Sequence, residues 1–362
     1  MEAVCYLNPE GELSDKYSGR IPEETLLKGY RAMLTVRLLD ERMVTLQRQG
    51  AISFALSSFG EEACAVAGAA ALEQEDWIYP QYREAGVMFY RGCSLQEYMN
   101  QMFGNGEDPF LGRQMPNHFG ARRLNVVTVS SPIATKIPHA AGCAYAMLLQ
   151  EEPHVALAYF GEGATSEGDF HAGLNFAAVR RAPAIFFCRN NGYAISTPVK
   201  EQFASDGVAP KGIGYGVKTF KIDGNDFFAV CETVKEAKRL CLAGEGPVLI
   251  EALTYRLGAH STSDDPTRYR SAEEVEEHKK RCPLLRLRRY LEKQRLWDEQ
   301  KEAVFISETQ NGITKAIQTA KKSAPPPLHT LFEHIYKEVP EPLREQYEEL
   351  RRLFEGEEEP WQ

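Results

Sequence analysis

Two strand-sized apolar runs end in turns built for close approach, and this pairing constrains the chain more than any other feature. Val155 to Phe160 stops at Gly161-Glu162-Gly163, and Ala184 to Arg189 stops at Asn190-Asn191, with 26 residues (164 to 189) between the two turns. The stretch between them, Gly168 to Val179, spaces its apolar residues as a helix does. Strand, helix and strand in that order imply neighbouring parallel strands, so both turns fall on one carboxyl edge of a sheet. Open α/β sheets bind their ligands at that edge.

The flanking sequence continues the alternation. A small-residue helix (Ile137 to Gln150) precedes the first strand. A strand near Thr219 to Ile222, a helix from about Phe227 to Leu242 capped by Asp226, and a strand from Val248 to Tyr255 follow. The expected fold class is therefore α/β, a mainly parallel sheet with helices on both faces. Upstream, Pro22 opens a long helix carrying Leu26, Tyr30, Met33, Leu34 and Leu38. Helical stretches at Glu61 to Leu72 and Leu95 to Phe103 flank Trp77 to Glu84, which reads as a strand end running into a loop. Beyond Ser271 the pattern is helical and charged, broken by Pro325-Pro326-Pro327 and closed by acidic Glu355 to Glu359. The expected organisation is an arm over 1–22, an α/β domain over 23–271 and a helical C-terminal extension over 272–362.

The residues at the two turns carry specific chemistry. Glycines on either side of Glu162 let backbone approach a ligand, and the start of the following helix would offer free N–H groups to phosphate oxygens. The Glu162 carboxylate, the Asn191 side-chain carbonyl and the backbone carbonyl of Tyr193 would give one cation three hard oxygen ligands. Phosphate oxygens and water would complete the octahedron that Mg²⁺ prefers, which points to a bound diphosphate rather than a bare metal. A dinucleotide-binding fingerprint fits poorly: it wants glycine where Ser166 stands and an acidic residue where Arg189 stands.

Composition narrows the remaining classes. A formal charge of −9 argues against a nucleic-acid surface, which needs clustered positive charge. No apolar run approaches the roughly 18 residues needed to cross a bilayer. The eight cysteines form no C-x-x-C pair and read as reduced structural thiols, not as a disulfide or zinc framework. The start, Met1-Glu2-Ala3-Val4-Cys5, lacks a secretion-signal pattern, so the chain is expected to be untargeted or to begin after a targeting segment.

One resemblance is specific. Ala158 to Val199, with Gly-Glu-Gly-Ala-Thr-Ser-Glu-Gly-Asp-Phe-His-Ala-Gly and Phe-Phe-Cys-Arg-Asn-Asn-Gly-Tyr-Ala-Ile-Ser-Thr-Pro, resembles the alpha subunits of branched-chain 2-oxo acid dehydrogenases, the decarboxylating components of those complexes. Gln81 to Gly86, Gly112 to Pro116 and Tyr255 to Asp265 extend the likeness over nearly the whole chain. Pyruvate-specific relatives carry Gly-Asp-Gly at the first turn and a different run after the paired asparagines.

The resemblance implies the thiamin diphosphate-binding fold, with Mg²⁺ held by Glu162, Asn191 and Tyr193. It implies that Tyr82, Arg83, Ser131, Gly163, Ala164, Arg189 and His260 contact thiamin diphosphate. His260 would also be catalytic, assisting reductive acylation; an imidazole near neutrality could shuttle protons and, as a cation, pair with diphosphate. A K⁺ site would match Ser130, Pro132 and Thr135, but the family's usual glutamine is Lys136 here, whose ammonium would compete for the cation's place. Serines matching Ser261 and Ser271 are phosphorylated in mitochondrial members.

The implied reaction is oxidative decarboxylation of the 2-oxo acids of valine, leucine and isoleucine, with acyl transfer to lipoyllysine on an acyltransferase core. A beta subunit, two of each chain forming a heterotetramer, would supply the rest of the active site. A regulatory kinase and phosphatase are implied partners; nucleic acid and membrane are not. The location implied is the mitochondrial matrix for a eukaryotic source and the cytoplasm for a bacterial one. The alternatives carried forward are a pyruvate dehydrogenase alpha subunit and a nicotinamide-dependent dehydrogenase.

Overall fold

Side-chain alternation along the central strands divides the protein into two cores. In a computed structural model, which describes residues 1–354, five strands form one parallel sheet: β1 (Trp77–Tyr79), β2 (Ala156–Gly161), β3 (Ala184–Asn190), β6 (Lys218–Asp223) and β7 (Val248–Leu253), in the order β1-β2-β3-β7-β6. A small antiparallel hairpin, β4 (Tyr193–Ala194) with β5 (Thr197–Pro198), follows β3. The helices are α1 (Glu23–Arg48), α2 (Glu62–Ala70), α3 (Ala85–Tyr90), α4 (Leu95–Phe103), α5 (Lys136–Leu149), α6 (Gly168–Arg180), α7 (Val199–Gln202), α8 (Ala209–Ile213), α9 (Phe227–Leu242), α10 (Ala272–Lys279), α11 (Pro283–Lys293), α12 (Glu299–Lys322) and α13 (Glu341–Phe354). The acidic Glu355 to Glu359 lies outside the described residues.

Leu157, Tyr159, Ile185, Phe187 and Ile250 point to one face, where they pack with α1, α2 and α9. Helices α11 and α12 join the same core through Leu287, Leu291, Ile313 and Ile317. Ala156, Ala158, Phe160, Phe186 and Leu249 point to the other face, against Ile137 of α5 and Leu174 of α6. A sheet covered on both faces needs apolar residues at every position, and β3 is buried along its whole length. Each fully buried Phe or Leu there contributes about 1.5–3 kcal/mol.

Helices α5 and α6 meet closely because Gly173 has no side chain: a Cβ there would lie 2.9 Å from Ile137 Cγ2. Of the small residues on these two helices, Ala140, Ala141, Ala144, Gly173 and Ala177 are buried within the chain, whereas Gly142 and Ala172 face outward. Asp226 does cap α9, accepting from Phe228 N and Ala229 N, and its second oxygen accepts from Tyr6 N and Leu7 N. One short side chain thus ends the sheet-to-helix turn and fastens the N-terminal arm.

The expected elements fall within a residue or two of the observed ones, with two differences that bear on the site. Helix α3 follows the Trp77 to Glu84 segment directly, in a six-residue stretch too short to show a period. Strand β2 does not run straight into α6: a 3₁₀ turn over Glu162–Ser166 intervenes. Helix α6 itself begins at Gly168, where the sequence places it, and Gly163 and Ala164 lie in the 3₁₀ turn that precedes it.

Candidate active site

Strand register brings the two turns together. Gly161 of β2 lies opposite Arg189 of β3, and Asn190 lies opposite Leu253 of β7, so three adjacent strands end side by side. A cavity of about 350 Å³ opens at that edge. Tyr82, Arg83, Ser131, Glu162, Gly163, Ala164, Arg189, Asn191, Tyr193 and His260 all line it. A larger cavity of about 660 Å³, between α4 and the 107–128 segment, contains none of them.

The oxygen donors sit together. Glu162 is buried, accepting from Asn191 N at 3.3 Å and Gln202 Nε2 at 3.3 Å, and burial pushes its carboxyl above the usual range. Asn191 Oδ1 accepts from Tyr193 N at 3.2 Å, and Tyr193 O accepts from Arg256 Nη1 at 3.3 Å. Among the described residues no group of three or more His, Cys, Asp or Glu side chains could hold a metal. One carboxylate, one amide oxygen and one backbone carbonyl fit a hard divalent cation whose shell is completed by oxygens of a bound anion. Gly163 permits that approach: a Cβ there would lie 2.8 Å from the Ala194 methyl of β4.

The arginines are held in place, Arg189 and Arg83 by buried carboxylates and Arg256 by backbone carbonyls and a tyrosine hydroxyl. Arg189 forms ion pairs with Glu61 and Glu84, and its Nη2 donates to Gln81 Oε1 at 3.0 Å. Burial opposes its charge, but Glu84 and Glu61 outweigh that and keep it a cation. Arg83 donates through Nη1 to Ser57 O at 2.6 Å, with its Nε 3.9 Å from Glu61 Oε1. Arg256 reaches Ile195 O at 2.6 Å and the Tyr269 hydroxyl at 2.9 Å. Ile195, on the cavity wall, has φ +58°, a left-handed conformation costly for a β-branched residue.

His260 differs from the sequence expectation of an imidazole near neutrality that pairs as a cation. Burial, then Arg83 and Arg256, push it down from 6.5 to about 4. Arg83 Nη2 lies 3.1 Å from His260 Nδ1 and donates to His260 O at 2.6 Å. With Nδ1 facing a guanidinium, the ring proton belongs on Nε2 and the imidazole is neutral. His260 N donates to Asp264 Oδ2 at 2.7 Å, and Tyr269 donates to the same oxygen at 2.5 Å, so the 260–270 loop is tied to the site.

Ser131 is exposed, with its Oγ 2.6 Å from His118 Nε2. Lys136 is buried at 3 % exposure and donates to Ser130 O at 3.4 Å and Ile133 O at 3.2 Å. Burial lowers its ammonium to about 8. The half-buried Ser261 and exposed Ser271 lie on the loop beyond His260, and Ser271 Oγ caps α10 by accepting from Glu274 N.

Sequence reasoning missed Gln81, Ile133, Ile195 and Arg256 on the cavity wall, and Glu61 and Glu84 behind it. Arg256 was findable, as a cation just past a third buried strand. The others depend on which distant segments meet, which no spacing encodes.

With that geometry in place, comparison with known proteins is direct. The dehydrogenase E1 component family matches residues 30–329. The chain is 48% identical over 333 residues to the 2-oxoisovalerate dehydrogenase subunit alpha, mitochondrial, of Mus musculus, covering 92% of this chain and 75% of that one. It is 48% identical over 346 residues to the Caenorhabditis elegans protein of the same name, covering 95% and 80%. The alpha 2 subunit of Arabidopsis thaliana is 46% identical over 346 residues, covering 94% and 73%. On these grounds the chain belongs to the dehydrogenase E1 component family.

Proposed function

We propose that this chain is the alpha subunit of a thiamin diphosphate-dependent 2-oxo acid dehydrogenase that decarboxylates branched-chain 2-oxo acids and passes the acyl group to lipoyllysine. The observation that carries the reading is the convergence of all the expected cofactor residues on one cavity. The relatives named for 2-oxoisovalerate supply the substrate class. The pyruvate and nicotinamide alternatives have less support: the mouse, nematode and Arabidopsis relatives are named for 2-oxoisovalerate, and Arg189 is locked between two carboxylates where a nucleotide ribose would need an acid.

Glu162, Asn191 Oδ1 and Tyr193 O would hold Mg²⁺, and Gly163 and Ala164 would receive the diphosphate. Thiamin diphosphate, when bound, supplies the electron sink for decarboxylation. This chain's residues do the rest of their part by positioning. Arg83 and Arg189, fixed in place by Glu61 and Glu84, offer oriented N–H donors, the Gly163 turn brings backbone N–H groups close, and His260 keeps a neutral imidazole whose Nε2–H can hydrogen-bond to the lipoyl sulfur. A beta subunit completes the site. We assign the assembly as a heterotetramer docking on a lipoyl-bearing acyltransferase core, in the mitochondrial matrix if the source is eukaryotic and the bacterial cytoplasm otherwise.

Two finer readings belong to this proposal. The Lys136 ammonium, bonded to two backbone carbonyls, takes the place of K⁺. Phosphate on Ser261 adds about −1.5 to −2 charges beside His260 and repels the diphosphate, making the loop a target for a kinase and phosphatase. Ser271 is the second such position.

Reconstitution with a beta subunit tests the whole reading. Decarboxylation of 3-methyl-2-oxobutanoate is expected to exceed that of pyruvate and 2-oxoglutarate, and titration is expected to show binding of thiamin diphosphate with Mg²⁺ but not of NAD. A preference for pyruvate would overturn the substrate assignment.

A further inference from the structure

One buried carboxylate outside every motif holds three site residues at once. Glu61, at the start of α2 and 1 % exposed, accepts from Asn191 Nδ2 with both oxygens at 3.3 Å. It also pairs with Arg189 Nη1 and lies 3.9 Å from Arg83 Nε. Its partners at Arg189 and Asn191 are 128 and 130 residues away along the chain.

We propose that Glu61 is the positioning residue that sets the Asn191 amide, so that Oδ1 and not Nδ2 is offered beside Glu162. An asparagine amide has a ligand end and a donor end, exchanged by rotation about a soft torsion. Next to Glu162, which accepts from Asn191 N and Gln202 Nε2 at 3.3 Å, the rotated amide would donate Nδ2–H to the carboxylate. Both groups would then satisfy each other and leave no oxygen pair for a cation. Glu61 prevents this by claiming Nδ2, while Tyr193 N steadies Oδ1 through a longer, uncharged bond at 3.2 Å. Glu61 has no proton to give, so only the NH₂ end can face it, and charge-assisted bonds are strong in a buried setting. Arg189 and Arg83 anchor Glu61 in turn. The inference rests on reading Glu162, Asn191 and Tyr193 as the Mg²⁺ ligands.

Replacing the carboxylate by an amide reverses the preference. In Glu61→Gln the introduced oxygen is drawn to the arginines, its NH₂ then faces Asn191, and Oδ1 turns away from Glu162. In Asn191→Asp the side chain has two equivalent oxygens and needs no orienting, but it repels Glu61 until that residue is also neutralised.

The experiment titrates Mn²⁺ into the complex assembled with its beta subunit, in the presence of thiamin diphosphate, following free Mn²⁺ by electron paramagnetic resonance, with melting temperatures of the cofactor-free complexes alongside. Glu162→Gln is expected to abolish binding; if it does not, the metal-site reading itself fails. With that control in place, Glu61→Gln is expected to weaken Mn²⁺ about tenfold, the equivalent of one lost charge-assisted contact, without a matching fall in melting temperature. Asn191→Asp alone is expected to be weak, and Glu61→Gln with Asn191→Asp to bind better than either single variant. Wild-type affinity in Glu61→Gln overturns the proposal, as does a double variant no better than Asn191→Asp. Failure of both Glu61→Gln and the double variant to assemble would make Glu61 a folding residue and equally overturn it.

Discussion

Arg83 grips His260 twice, through the ring nitrogen Nδ1 at 3.1 Å and the backbone carbonyl at 2.6 Å. The cation that would contact diphosphate thereby adds to burial in keeping the imidazole neutral. His260 sits at about 4 against an ordinary 6.5, so as pH falls the unfolded chain takes up this proton first. The group's stabilising contribution is therefore complete above about 6.5 and is lost as pH falls toward 4. Carbethoxylation of His260, followed by mass spectrometry against pH, is expected to show a midpoint near 4, moving up toward 6.5 in Arg83→Gln. A wild-type midpoint near 6.5 would refute the assignment.

Gly163→Ala tests the close approach at the first turn. The added methyl meets Ala194 Cβ at 2.8 Å and pushes on the hairpin that carries Tyr193. Thiamin diphosphate affinity, read by calorimetry on the assembled complex, is expected to fall about tenfold, the cost of displacing one ligand contact. Melting of the cofactor-free complex should move little.

Asp40 is buried on α1, accepting from Ser58 N at 2.5 Å. Burial pushes its carboxyl up to about 8. Because its folded value is raised, the folded chain holds the proton more tightly, and the contribution to stability present at low pH is lost as pH rises through about 8. Asp40→Asn keeps the acceptor without the titration. Its melting temperature is expected to fall less than the wild type's as pH rises from about 4 to about 8, and to run parallel to it above that.

Lys136→Gln should convert the site to cation dependence. The wild-type complex is expected to bind thiamin diphosphate equally in K⁺ and in N-methylglucamine buffers. The variant is expected to lose about tenfold without K⁺, one charge-assisted bond's worth, and to regain it with K⁺. Strict K⁺ dependence of the wild type would show that Lys136 does not replace the ion.

What could be read from the residues alone was the part encoded locally. Strands β2 and β3 announced themselves as apolar runs, and their facing ends placed Glu162 and Asn191 together before any coordinates did. The six-residue α3 and the 3₁₀ turn over Glu162–Ser166 are too short to show a period. The depression of His260 was invisible because it depends on Arg83, 177 residues away, and on burial that only the assembled fold creates. Glu61 was hidden for the same reason: a carboxylate at a helix start reads as a cap until Arg189 and Asn191 arrive from another layer.

The pairing of Gly161 with Arg189 also decides where the chain tolerates changes in length. Removing one residue inside β2 or β3 would turn alternate side chains to the opposite face, exchanging Phe160 and Phe187 between the two cores and carrying Glu162 away from Asn191. The exposed connections at 151–153 and 243–245, which lead into the amino ends of β2 and β7, carry no such phase. Insertions and affinity tags therefore belong at the amino edge of the sheet, where the strands can be lengthened without resetting the clock that the site keeps.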